Sequence, residues 1–338
     1  MKLALAGLKR SGKSTIFTAL GSRRQTARRE ESSLAILPVP DERVERLGAI
    51  YKPKKITYAV ITYLDPAQPL AKPDDPSTRL PAELGQADGL VEVIRNFDGG
   101  MGMPQPGTDH RIFMDELILN DLMTVENRLE RIVQERKRGR KEDPEETDLL
   151  QAARDLLSHE RPLRDKPELA GHVKLRGFGL LSAKPLVLVV NNEDEDPDPP
   201  PLKGAGVPVV IRARIEAELA ELEEDERREF AKELGIEGTA LDRLITASFQ
   251  SLDMITFYTA NQNEVRAWTI KRGASALEAA GAVHSDMARG FIRAEVLRSD
   301  DLFGRGSEAA VKKAGLMKLV GKDYVVQDRD VLYIRFNI

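Results

Sequence analysis

The chain has 338 residues, more than one hydrophobic core usually organises, so two or three domains are expected. With 41% hydrophobic and 31% charged residues it reads as globular, and no apolar run reaches the roughly 18 residues that cross a bilayer, which excludes a membrane-spanning helix. A formal net charge of -4 excludes a uniformly basic nucleic-acid coat, and the absence of cysteine excludes disulfides, thiolate metal sites and cysteine nucleophiles.

The opening MKLALAGLKRSGKS holds an apolar stretch of about six residues, too short for an export signal, so a buried first strand and a reducing, cytoplasmic address are expected. Residues 2–6 read as that strand and residues 13–20 as a helix, with a Gly-rich turn between them. Residues 23–33 are polar and arginine-rich and read as an exposed loop, followed by an edge strand over 34–39 closed by Pro38 and Pro40. A helix over 41–50 has Asp41 as its N-cap, and the alternating, β-branched run 56–64 reads as one strand ending at Asp65. After the Pro- and Asp-rich loop 66–81, residues 90–94 form another buried strand, and 98–108 carry no readable element.

From residue 112 to 137 apolar residues fall at helical spacing, with acidic residues early and basic ones late, as the helix dipole favours. A second helix covers 145–159. The charged turn between them, Arg136 to Pro144, predicts an antiparallel hairpin inserted into the parent domain, and its basic residues, Arg136, Lys137, Arg138, Arg140 and Lys141, suit a phosphate backbone. Strands over 185–190 and 207–211 then resume the first domain, and their alternation with helices implies a parallel, doubly wound sheet. Helices over 215–234 and 238–249 lead into a small α+β module with strands at 254–259, 264–270, 324–326 and 331–336.

Gly7 to Ser14, GLKRSGKS, satisfies G-x-x-x-x-G-K-S in full. Such glycines let main-chain N–H groups turn inward around phosphate oxygens, the lysine neutralises the outer phosphates, and the serine hydroxyl ligates Mg²⁺. A strand before the motif and a helix after it argue against a chance turn. Lys9, Arg10, Ser11, Gly12, Lys13, Ser14 and Thr15 are therefore the expected contacts to a purine nucleotide. Asp65, at a strand end, is placed to act on the ion held by Ser14, although a strand-end Asp is also a common turn residue. Asn191, Asn192 and Asp194 follow a buried strand in an N-x-x-D pattern, in which a carboxylate accepts hydrogen bonds from a guanine edge and an Asn braces the phosphate loop. The competing reading is an acidic loop that continues through Glu195, Asp196 and Asp198. The four histidines show no ligand spacing, which argues against zinc.

GLKRSGKSTIFTAL, ILPVPDERVERLGAIYKP, ELILNDLMTVENRLERI, ITFYTANQNEVRAWTIKRGASALEAAGAVHSDMARGFIRAEV and GKDYVVQDRDVLYIRFNI resemble the YchF/Obg-like ATPase family over nearly the whole chain. The resemblance implies a Ras-like P-loop G domain of α/β class, an inserted helical coiled-coil hairpin, and a C-terminal α+β module of β-grasp (TGS) type. The corresponding boundaries are 1–111 with 184–250, 112–183, and 251–338. It further implies a chain that hydrolyses GTP or ATP slowly with Mg²⁺ and associates with ribosomes or RNA through hairpin and TGS domain; a monomer is expected.

Several positions depart from the family pattern. Arg29 stands near the threonine of the first switch, Gln68 replaces the glycine of the second, and Pro69 occupies the site of the residue after it. The base motif fits in two registers: Glu193 aligned with the family's glutamate puts Val190 at the asparagine position, whereas a shift of one residue gives Asn191 and Asp194. Base choice thus stays open between adenine and guanine. His110 lies too near a helix start to match the histidine the family offers after its third strand. Two functions follow from these residues, a slow nucleotide-hydrolysing switch and a nucleotide-binding module without hydrolysis; a metabolic kinase has no recognisable acceptor base.

Overall fold

The computed structural model describes the chain except residues 22–25, 29–31, 67–79, 101, 203–205, 224–225, 227–228, 231–238 and 338. The first part of the chain forms β1 (Lys2–Ala6), α1 (Lys13–Gly21), β2 (Thr26–Arg28), β3 (Ser32–Pro38), α2 (Glu42–Tyr51), β4 (Lys55–Thr57), β5 (Val60–Pro66), α3 (Ala82–Gln86) and β6 (Gly89–Asn96). Two long helices follow, α4 (Pro106–Lys137) and α5 (Pro144–Ser158), and then β7 (Leu186–Asn192) and β8 (Val209–Ile211). The remainder holds β9 (Met254–Ala260), β10 (Glu264–Lys271), β11 (Phe291–Arg298), β12 (Lys318–Val320) and β13 (Asp330–Phe336), with further helices named below by residue.

Contacts divide the chain into two compact units, one of residues 2–36 and 62–248, the other of residue 1, 37–61 and 249–338. The first holds a seven-stranded sheet in the order β2-β3-β5-β1-β6-β7-β8, with β1, β5, β6, β7 and β8 paired in parallel. Its central strands are buried on both faces, so they read as continuous apolar runs. Phe113 and Leu117 of α4 close a core with Ala4, Ala6, Leu64 and Leu90. Farther along, Ile118, Val125 and Ile132 of α4 meet Leu150, Ala153 and Leu157 of α5. Arg128 clamps Glu146 of α5 at 2.8 and 3.1 Å. The return to β7 is tied to α4 by buried Asp121, which accepts the N–H groups of Leu181 (2.8 Å) and Ser182 (2.6 Å).

The second unit holds a six-stranded sheet, β12-β11-β13-β9-β10-β4. The early segment 37–61 belongs to it: β4 pairs in parallel with β10, and Val44 and Leu47 of α2 share a core with Tyr258, Val265, Leu297 and Val331. Asp41 caps α2 as expected, accepting from Arg43 N at 3.0 Å. The same carboxylate accepts the Tyr258 hydroxyl at 2.6 Å.

Several expected elements differ. The run 56–64 is two strands in two sheets, β4 and β5, separated at Tyr58 and Ala59. Strand β3 is not an edge, because β2, inside the expected loop 23–33, pairs antiparallel outside it. Helix α4 starts at Pro106, whose fixed φ suits a first helical turn. Residues 324–326 form only a bridge, Val325 to Ser275, and the strands that stand in their place are β11 and β12.

Candidate nucleotide site

Between β1 and α1 the chain turns through Gly7 (φ 127°) and Gly12 (φ 95°), conformations that L side chains rarely adopt. Space demands glycine as well: a Cβ on Gly7 would strike the main-chain carbonyl of Val93, and one on Gly12 would strike the side-chain amide of Asn191. Arg10 takes a left-handed φ of 62° between them and, like Lys9, is exposed. Lys13 folds back along the loop, its Nζ donating to the carbonyls of Gly7 (2.9 Å) and Leu8 (2.8 Å). Burial lowers the pKa of Lys13, opposed by the charge of Asp65; burial raises that of Asp65, opposed by Lys13. The two groups, Lys13 at the start of α1 and Asp65 near the end of β5, therefore lie in one electrostatic field. Ser14 and Thr15 are exposed on the first turn of α1.

Strand β7 decides which side chains of the second motif face the loop. Side chains alternate along a strand, so Val190 and Asn192 share one face and Asn191 takes the other. Asn191 faces the loop: its Nδ2 donates to Ser11 O at 3.2 Å, and its Oδ1 accepts Ala213 N, the first residue of the helix Ala213–Glu221, at 3.1 Å. Val190 packs with Ile94 and Leu188 on the opposite side. Asn192, expected at the nucleotide, is also turned away; it donates to Asp196 O (3.0 Å) and Asp198 O (2.6 Å) and accepts from Asn96 (2.9 Å), shaping the acidic loop. Asp194 pairs with Arg214 at 3.5 Å, and Glu193 accepts Asp98 N at 2.7 Å.

Three features were not foreseen from sequence. Arg95 gathers the carbonyls of Phe97, Asp98 and Gly102 within 3.1 Å, which folds the stretch read as structureless and sets Phe97 beside Gly12. Glu92, in mid-strand and 1% exposed, bonds His110 Nδ1 at 2.8 Å; burial raises its pKa and His110 lowers it. Beneath the loop, Leu8, Lys9, Ser11, Glu92, Arg95 and Asp109 line a cavity of about 10 Å³, room for one water molecule. Ser11 Oγ, buried there, has no hydrogen-bond partner among the described residues. A mid-strand glutamate followed eighteen residues later by a histidine carries no sequence signal. Arg29, Gln68 and Pro69 lie outside the described residues.

A glycine-pinned loop between a central parallel strand and a helix, braced by Asn191 near the end of β7, defines a P-loop nucleotide-binding protein on a Ras-like α/β sheet. The family model YchF-GTPase_C, described as a protein of unknown function (DUF933), matches residues 254–337. The chain is 35% identical to "Ribosome-binding ATPase YchF" of Bacillus subtilis over 360 residues, covering 99% of this chain and 98% of that one. It is 34% identical to the protein of the same name from Pasteurella multocida, covering 100% and 99%. "Structure of the Schizosaccharomyces pombe YchF GTPase" superposes with a TM-score of 0.80 at 25% identity, over 99% of this chain and 97% of that one. The chain belongs to the YchF family.

Proposed function

We propose that this protein binds ATP or GTP with Mg²⁺ at the loop 7–14, hydrolyses it slowly, and uses the nucleotide state to act at the ribosome in the cytoplasm. The braced loop carries the reading, since Asn191 holds the carbonyl of Ser11 while Lys13 lies along the loop mouth. Relatives named as ribosome-binding ATPases over the full chain support the partner.

In this reading the N–H groups of residues 9–15 surround the phosphates, Lys13 exchanges its two carbonyl contacts for phosphate oxygens, and Asp194 reads the base edge. Asn191 positions the loop, and Asn192 acts only through the acidic loop. The described residues contain no group of three or more His, Asp or Glu able to hold a metal. Exposed Ser14 and nearby Asp65 are hard oxygen donors, and this donor set suits Mg²⁺, which is commonly held by few protein oxygens plus substrate phosphates. When bound, Mg²⁺ supplies neutralisation of phosphate charge. We assign nucleotide binding to residues 1–111 with 184–250, apart from 37–61, which pack in the second unit, and ribosome or RNA contact to the hairpin 112–183 and the TGS region 251–338.

Calorimetry with ATP, GTP and their diphosphates, with phosphate release followed in the same samples, tests the proposal. Binding and release that both vanish in Lys13→Ala support it and identify the base. Affinity retained in Lys13→Ala overturns the loop assignment, and binding without release overturns the hydrolase.

A further inference from the structure

One face of the second sheet is covered at one end and open at the other. Cross-strand partners point to the same side of a sheet, so Arg293, Glu295 and Leu297 of β11 share a face with Leu319 of β12 and with Arg335 and Val331 of β13. At the Leu297 and Val331 end this face is sealed by α2 and by Leu302 and Val311. Along β11 the cover then runs out: Leu297 is buried, Glu295 half-buried and Arg293 exposed.

The open end is apolar as well as charged. A register irregularity between Phe291 and Arg293 sets Ile292 as an extra residue, 54% exposed, and bulges of this kind re-aim a side chain. Leu319 (56% exposed) and Phe336 (38%) complete the rim of a concavity of about 580 Å³. Strand β12 ends the sheet, and no strand pairs with its outer edge among the described residues. Arg335 is neutralised by Glu295 at 2.5 Å, whereas Arg293 has no ion pair among the described residues.

We propose that this face, with the free edge of β12, binds an extended protein segment that carries a carboxylate next to an apolar side chain. The edge offers main-chain hydrogen bonds to an added strand, the concavity between Ile292, Leu319 and Phe336 takes the apolar side chain, and Arg293 takes the carboxylate. Nucleic acid fits less well. Binding a phosphate backbone draws on several cations at once, and stacking needs aromatic platforms; here one arginine is free and Phe336 is the single aromatic at the rim.

The test is selection of a displayed library of random linear peptides on the full-length protein, followed by anisotropy measurements with the enriched peptide. The proposal expects a consensus with Asp or Glu beside an aliphatic or aromatic residue. Binding should weaken about tenfold or more in Arg293→Glu and in Leu319→Asp, both exposed positions whose unfolding temperature should stay that of the parent. A peptide with its acid changed to lysine should recover affinity for Arg293→Glu. Enrichment without that consensus, or affinity indifferent to both substitutions, overturns the proposal. So does binding of polyuridylate that the same two substitutions weaken, which makes the face a nucleic-acid surface.

Discussion

Asn191 donates its side-chain amide to the carbonyl of Ser11 across 180 residues of sequence and accepts the first N–H of the helix Ala213–Glu221 with its oxygen. One side chain thus holds the phosphate loop and a helix start together. Both main-chain partners are buried, so Asn191→Ala leaves a donor and an acceptor unsatisfied, a loss of about 2 kcal/mol or more of stability. Asn191→Asp keeps the acceptor for Ala213 but sets a carboxylate against the Ser11 carbonyl, and it should impair nucleotide affinity more than it impairs folding. Urea unfolding and calorimetry on the two variants separate these effects; equal losses in both measurements would contradict the bracing role.

Gly7 and Gly12 should fail differently when replaced by alanine. At Gly7 the obstacle is the main-chain carbonyl of Val93 in a central strand, which has nowhere to move. At Gly12 it is the tip of the Asn191 side chain, which can swing aside at the expense of the brace. Gly7→Ala should therefore reduce stability more, while Gly12→Ala should be non-additive with Asn191→Ala, the pair costing less than the sum of the singles. Additive costs in a double-mutant cycle would show that the two side chains do not meet.

What was legible in the sequence, and what was not, follows from how each feature is encoded. The loop, β1, β6 and β7 were readable because glycine spacing and unbroken apolar runs are local signals. The split of 56–64 was not: Lys55 to Thr57 and Val60 to Pro66 share one alternating pattern, and only the pairing of β4 with β10 shows that the chain changes sheets at Tyr58 and Ala59. Asn191 and Asn192 are chemically identical neighbours, and their opposite roles depend on which face of β7 meets the loop. Strand β11 was missed because Arg293 and Glu295 interrupt it, facing the uncovered end of the sheet.

The embedding of residues 37–61 in the second unit makes a stability prediction. A fragment of residues 249–338 lacks α2 and β4, so Tyr258, Val265 and Leu297 lose Val44 and Leu47, and the edge of β10 is bared. Arg43 also bridges Asp41 (2.7 Å) and Asp328 (3.1 Å) within this unit. The fragment should show weak near-ultraviolet circular dichroism and a broad thermal transition, despite spanning the matched family region 254–337. In the full chain, Tyr258→Phe removes the hydrogen bond to Asp41 and should cost about 1 kcal/mol. A fragment that unfolds cooperatively at the temperature of the full chain would show that α2 is dispensable.

The buried pair Glu92 and His110 sets a pH dependence whose sign can be worked out. Burial raises the Glu92 pKa above its ordinary 4.5, although the hydrogen bond and charge of His110 pull it down. The folded chain therefore keeps a proton that the unfolded chain has already released. Glu92 should lower stability as pH rises from about the ordinary carboxyl value through the folded one, with no further change above that. Removing the partner enlarges the effect: in His110→Ala the buried carboxylate loses its hydrogen bond and keeps the charge of Arg164, a loss of roughly 3 kcal/mol at the upper end of the pH range that shrinks toward pH 4 as the carboxyl protonates. Glu92→Gln should flatten the same region of the profile in either background. Urea midpoints measured across pH 4 to 8 check this, and a His110→Ala deficit that does not vary with pH would mean that Glu92 is not the group His110 stabilises.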